Sequence, residues 1–131
     1  MTEKELLQRT KNFALRIIKL VNALPNNPAG RAIGGQLIRS GTSVSANYRA
    51  ACRGRSKAEF VAKLGIVEEE ADESALWMEL IIESELIEEK LVADLLNEAR
   101  QITAIVAASK ITARRKAIVN RNSQIENSIS S

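Results

Sequence analysis

Apolar residues return every three or four positions along most of this chain, a helical period, and no stretch alternates as a strand would. Leu6, Phe13, Ile17, Leu20 and Leu24 form the first line, behind a capping-box pattern of Thr2 and Glu5. Pro25-Asn26-Asn27-Pro28 ends it. Asn27 then supplies an N-cap and Pro28 the first position of a second helix. That helix carries Ile33, Leu37, Val44 and Ala51, with Ser40 and Asn47 in the remaining core-facing positions, and stops at Gly54. Ser56-Lys57-Ala58-Glu59 is a further capping box, opening a third helix. Its seam of Phe60, Leu64, Val67, Ala71, Ser74, Met78 and Ile81 steps by fours and threes without a break. After a turn over residues 84–87, Leu91, Leu95, Ile102, Ile105 and Ser109 mark a fourth helix reaching about Arg115.

Short connections between long helices favour antiparallel neighbours, so the pattern predicts an all-α, up-down-up-down four-helix bundle over residues 1–116. Residues 117–131 (AIVNRNSQIENSISS) are polar and serine-rich, and are expected to be mostly disordered. The low aromatic content, 3% of 131 residues, suits an aliphatic core between helices. No apolar run approaches the roughly 20 residues of a membrane span, and the chain opens on a helix cap instead of a signal peptide. A cytoplasmic protein is expected. The lone Cys52 cannot form an internal disulfide, which fits a reducing compartment and a small buried side chain.

The absence of histidine removes the commonest general base and the commonest metal ligand. The acidic run Glu68-Glu69-Glu70-Asp72-Glu73 has no histidines to complete a di-iron site, and Gly34-Gly35 falls inside a helix instead of a phosphate-binding loop. The reading is a non-enzyme with no metal and no cofactor.

Charge is segregated. Residues 1–63 hold 12 Lys and Arg against 3 acids, residues 64–98 hold 1 against 12, and residues 99–131 hold 6 against 1. At about 100° per residue, Arg39, Arg49 and Arg53 gather nearly opposite the seam of the second helix. Arg55 and Lys57 extend them across the turn, and Arg114, Arg115 and Lys116 form another patch. Such a surface suits the phosphate oxygens of RNA or DNA. Tyr48 is the one aromatic candidate for base stacking, so binding should be directed to the backbone. The competing explanation is that the basic residues pair with the acids of the third helix. Asn47 is expected to be a buried amide that fixes register. The third helix also carries a second apolar group, Ile66, Leu76, Trp77 and Leu80, around Glu73, which predicts a subunit interface.

Two segments carry a resemblance. In residues 36–60 (QLIRSGTSVSANYRAACRGRSKAEF) small residues crowd around Asn47, an arginine-rich exit follows, and Ser56 opens a helix; residues 64–80 (LGIVEEEADESALWMEL) continue the match. Over residues 5–116 the chain resembles the four-helix-bundle proteins first known from reading frames inside intervening sequences of bacterial 23S ribosomal RNA genes. The resemblance implies the same bundle, rings of five subunits and no established catalytic chemistry. Some relatives are encoded within ribosomal RNA genes, and a similar accessory protein of diversity-generating retroelements partners a reverse transcriptase. Glu73 matches a family glutamate, expected to accept hydrogen bonds from an arginine across a subunit interface. Asn47 matches a family asparagine, but Tyr48-Arg49-Ala50-Ala51-Cys52 replaces the Ala-Glu-Gly segment that follows it in the family. The leading expectation is a non-catalytic homo-oligomer, a pentamer by resemblance, that binds RNA or DNA. The alternative is an interaction scaffold docking an acidic protein partner.

Overall fold

The computed structural model describes residues 1–130, which form four helices: α1 (Glu3–Ala23), α2 (Pro28–Cys52), α3 (Lys57–Glu83) and α4 (Ala93–Ser130), with a single 3-10 turn (Glu89–Leu91) before α4. Each of the first three starts where its capping residue lies. The Glu5 amide donates to Thr2 Oγ1 and the Thr2 amide to Glu5 Oε2, closing the capping box. The Gly30 amide donates to Asn27 Oδ1 at 2.8 Å, and Pro28 follows as the first helical residue. At α3 the Glu59 amide donates to Ser56 Oγ, but the Glu59 carboxylate accepts from the Arg55 amide, one residue earlier than a standard box. The end of α3 is a Schellman turn: the Leu86 amide reaches Ile81 O and the Glu85 amide reaches Ile82 O. Glu85 takes the left-handed position there, with φ 57°, where glycine is usual.

Ion pairs fix the helix directions. Glu68 pairs with Lys110 and Glu79 with Arg100, so α4 runs back along α3. Packing proceeds around the bundle in chain order, with α1 against α2, α2 against α3 and α3 against α4; the α1–α4 seam is the lightest. That seam is held by Arg9, which forks onto both carboxylate oxygens of Glu98. The core is mostly aliphatic: Ile17, Leu37, Val44, Leu64, Val67, Ile81, Ile102 and Val106 are fully buried, together with Phe13 and Met78.

Three expectations from the sequence are corrected. Asn47 is not a buried, register-fixing amide. It is half-buried, and its Nδ2 donates to Ser43 O within its own helix. The interhelical polar link is instead Ser40 Oγ to Ser74 Oγ at 2.8 Å, with both residues fully buried. Tyr48, the candidate for base stacking, is buried in the core. In the fourth helix Leu91 sits exposed in the 3-10 turn, and Val92, Leu95, Ala99, Ile102 and Val106 form the seam.

The helix expected to end near Arg115 continues to Ser130. At 1.5 Å per residue its 38 residues span about 57 Å. No residue after Val106 is buried among those described, and Ile111, Ile118, Val119 and Ile125 are exposed. The far part of α4 therefore overhangs the bundle. Among the described residues, no helix is long and apolar enough to cross a membrane.

Candidate nucleic-acid interface

The eight basic residues singled out in the sequence separate by whether a carboxylate reaches them. Arg39 is engaged: Nη1 donates to Glu70 Oε2 at 3.1 Å and Nη2 donates to Glu73. With Arg100 on Glu79 and Lys110 on Glu68, three cations from α2 and α4 pair with four acids of α3. For Arg39 the explanation by ion pairing is the observed arrangement. Arg49, Arg53, Arg55, Lys57, Arg114, Arg115 and Lys116 have no ion pair among the described residues, and all seven are exposed.

Arg39, Arg49 and Arg53 also do not form one row. Arg39 leans toward α3, whereas Arg49 and Arg53 line a groove of about 760 Å³ between α2 and the first turns of α1. Lys4 and Lys11, seven residues apart on one face of α1, border the same groove. The sequence reading left those two lysines out; their shared face was the available signal. Arg55, Lys57 and Lys116 meet at a second concavity, of about 870 Å³, at the end of the bundle. The α2–α3 turn and the passing α4 form its walls, and Phe60, Ile105, Ala51 and Ala108 supply apolar lining. Glu3 and Cys52 border both concavities, so the two are contiguous and share one basic end. Arg114 stands apart, in a smaller recess with Glu68, Glu69 and Asp72, and Arg115 lines neither concavity.

Cys52 offers no nucleophile here. Burial pushes its thiol up to about 11, so it stays protonated near neutrality; burial likewise raises Tyr48, with Cys52 as the next cause. No group of three or more His, Cys, Asp or Glu side chains among the described residues is arranged to hold a metal ion.

The residues predicted for an interface lie along α3. Ile66, Leu76 and Leu80 are exposed at 36%, 47% and 38%. Trp77 is half-buried against the core, and its indole N–H donates to Glu73 Oε1 at 3.3 Å. Glu73, expected to meet an arginine from another subunit, takes its arginine from the same chain. Arg39, Trp77 and Arg39's charge together hold its carboxyl below the ordinary 4.5, the Arg39 hydrogen bond contributing most.

Four antiparallel helices around an aliphatic core, with four acids of α3 paired internally and one basic end open, define an all-α bundle protein. A family model described as 23S rRNA-intervening sequence protein matches residues 2–108, and the chain belongs to that family. It is similar to a protein of unknown function from the S23 ribosomal protein family of Bacteroides thetaiotaomicron, known from a crystal structure. The identity is 32%, the TM-score 0.78, and the match covers 84% of this chain and 98% of that one. No curated protein matches. The family match ends before the overhanging part of α4.

Proposed function

We propose that this protein is a non-catalytic, cytoplasmic homo-oligomer that holds the phosphate backbone of RNA or DNA against its basic end. The observation that carries the reading is the split among its cations. Arg39, Arg100 and Lys110 are held by acids of α3, while Arg49, Arg53, Arg55, Lys57 and Lys116 crowd two adjoining concavities whose acidic lining residues are Glu3 and Glu5. Unpaired guanidinium and ammonium groups at one end repel each other, a cost a bound polyanion removes, while those groups displace the polyanion's condensed counterions. Burial of Tyr48 removes the one expected stacking residue, which keeps the reading directed to the backbone. The family's name, drawn from ribosomal RNA intervening sequences, supports the same class of partner. Exposed Ile66, Leu76 and Leu80 support assembly along α3, and a five-subunit ring is the number the family resemblance favours.

The test is binding of fluorescein-labelled RNA and DNA across a salt series. The parent should lose affinity steeply between 50 and 200 mM salt, as expected for several phosphate contacts. Arg49→Gln, Arg53→Gln, Arg55→Gln, Lys57→Gln and Lys116→Gln combined should weaken binding and flatten the slope by about 3 to 5. Arg39→Gln should leave the slope unchanged. Salt-insensitive or absent binding by the parent would overturn the reading in favour of an acidic protein partner.

A further inference from the structure

The two halves of the basic end differ in their floors. The α1–α2 groove is edged mainly by polar and charged residues, whereas at the bundle end Phe60, Ile105, Ala51 and Ala108 stand in the same lining as Arg55, Lys57 and Lys116. We propose that this pocket takes one unstacked nucleotide of a single strand, so that the protein selects single-stranded over duplex nucleic acid. The inference rests on the nucleic-acid reading above and names its substrate class.

Size, lining and charge all bear on it. A volume of about 870 Å³ lies within the roughly 300–1,000 Å³ of small-ligand sites and exceeds what a side chain of a docking helix would fill. Phe60 is half-buried and lines the pocket, with Ile105 and Ala108 beside it. An aromatic ring with aliphatic neighbours receives any base, because every base has a π-face. Arg55, Lys57 and Lys116 bring three unpaired positive charges to the same pocket, where the phosphates flanking an inserted base must pass. Ser109 Oγ donates to Ile105 O, leaving its lone pairs free to accept from a base edge. A duplex keeps its bases stacked and paired and offers such a pocket only phosphates. A strand already single offers the base without the unstacking penalty of a few kcal/mol.

The experiment uses the full chain with a labelled 12-nucleotide RNA, the same RNA annealed to its complement, and free AMP. The parent should bind the single strand at least about tenfold tighter than the duplex, and AMP should compete only weakly. Phe60→Leu keeps apolar volume but removes the ring, and should cut single-strand affinity roughly fivefold or more while sparing duplex binding. Ala108→Trp fills the pocket from an exposed position without touching a cation, and should erase the preference. Circular dichroism confirms that both variants fold. Equal binding of single strand and duplex by the parent, or a preference that survives both variants, overturns this inference and leaves the backbone reading standing. Loss of salt-dependent binding to either RNA overturns both.

Discussion

Glu73 sits between two donors of its own chain, the Arg39 guanidinium and the Trp77 indole N–H, and Trp77 is the only tryptophan present. Its depressed pKa means that it stays ionised at a pH where ordinary carboxylates protonate, so the contribution of this cluster to stability is present above about 4.5 and lost as pH falls through the lower folded value. Trp77 emission should therefore titrate below pH 4.5. Arg39→Gln should move that midpoint upward, toward the ordinary value; an unmoved midpoint would show that Arg39 does not set it. This cluster was half legible. A glutamate amid apolar residues on an exposed face announced a partner, but only the fold shows that α2 lies close enough to supply it. The mistaken burial of Asn47 has a similar source. Stepping by sevens from Ser40 reaches Asn47, but an α-helix drifts about 20° per heptad. Four residues beyond Val44, Tyr48 has rotated into the core position instead.

Along the helices, small residues decide how closely neighbours approach, and two glycines of α2 make opposite predictions. A Cβ on Gly41 would lie 2.7 Å from both Ile17 Cγ1 and Cγ2, and Ile17 is a fully buried, β-branched side chain that cannot swing aside. Gly41→Ala should lower stability by about 1–3 kcal/mol despite its better helix propensity. A Cβ on Gly35 would meet nothing within 4 Å, so Gly35→Ala should raise stability by up to ~1 kcal/mol. Urea midpoints of the two variants, read against the parent, check both signs. The start of each of the first three helices was readable because its cap is a local hydrogen bond between residues three apart. The end of α4 was not. Beyond Lys116 the composition contains neither proline nor glycine to stop a helix, and serine and asparagine persuaded where a breaker was lacking.

At the scale of the molecule, assembly is the open expectation, and the structure changes how it is best tested. Trp77 packs on its own core and bonds Glu73, so replacing it would damage the subunit as well as any interface. Leu76 and Leu80 are exposed and free of such duties. Leu76→Lys with Leu80→Lys should shift the particle toward monomer in light scattering while helical circular dichroism is retained; a parent that is already monomeric at micromolar concentration refutes assembly through this face. The four-helix architecture was legible because the period is strong and the breakers are few. The basic end was legible only as separate runs of charge, since Lys4, Arg53 and Lys116 are distant in sequence and meet only when α1, α2 and α4 converge. The charge layout carries one more consequence. Arg49, Arg53, Arg55, Lys57 and Lys116 lie where α3 begins, and Glu83, Glu85, Glu88 and Glu89 cluster where it ends, about 40 Å away along its 27 residues. The subunit is thus a permanent electric dipole aligned with its own long axis. If the proposed polyanion is its partner, that dipole would turn the subunit like a compass needle, basic end inward, and successive copies would stand parallel, with their α3 flanks at one height.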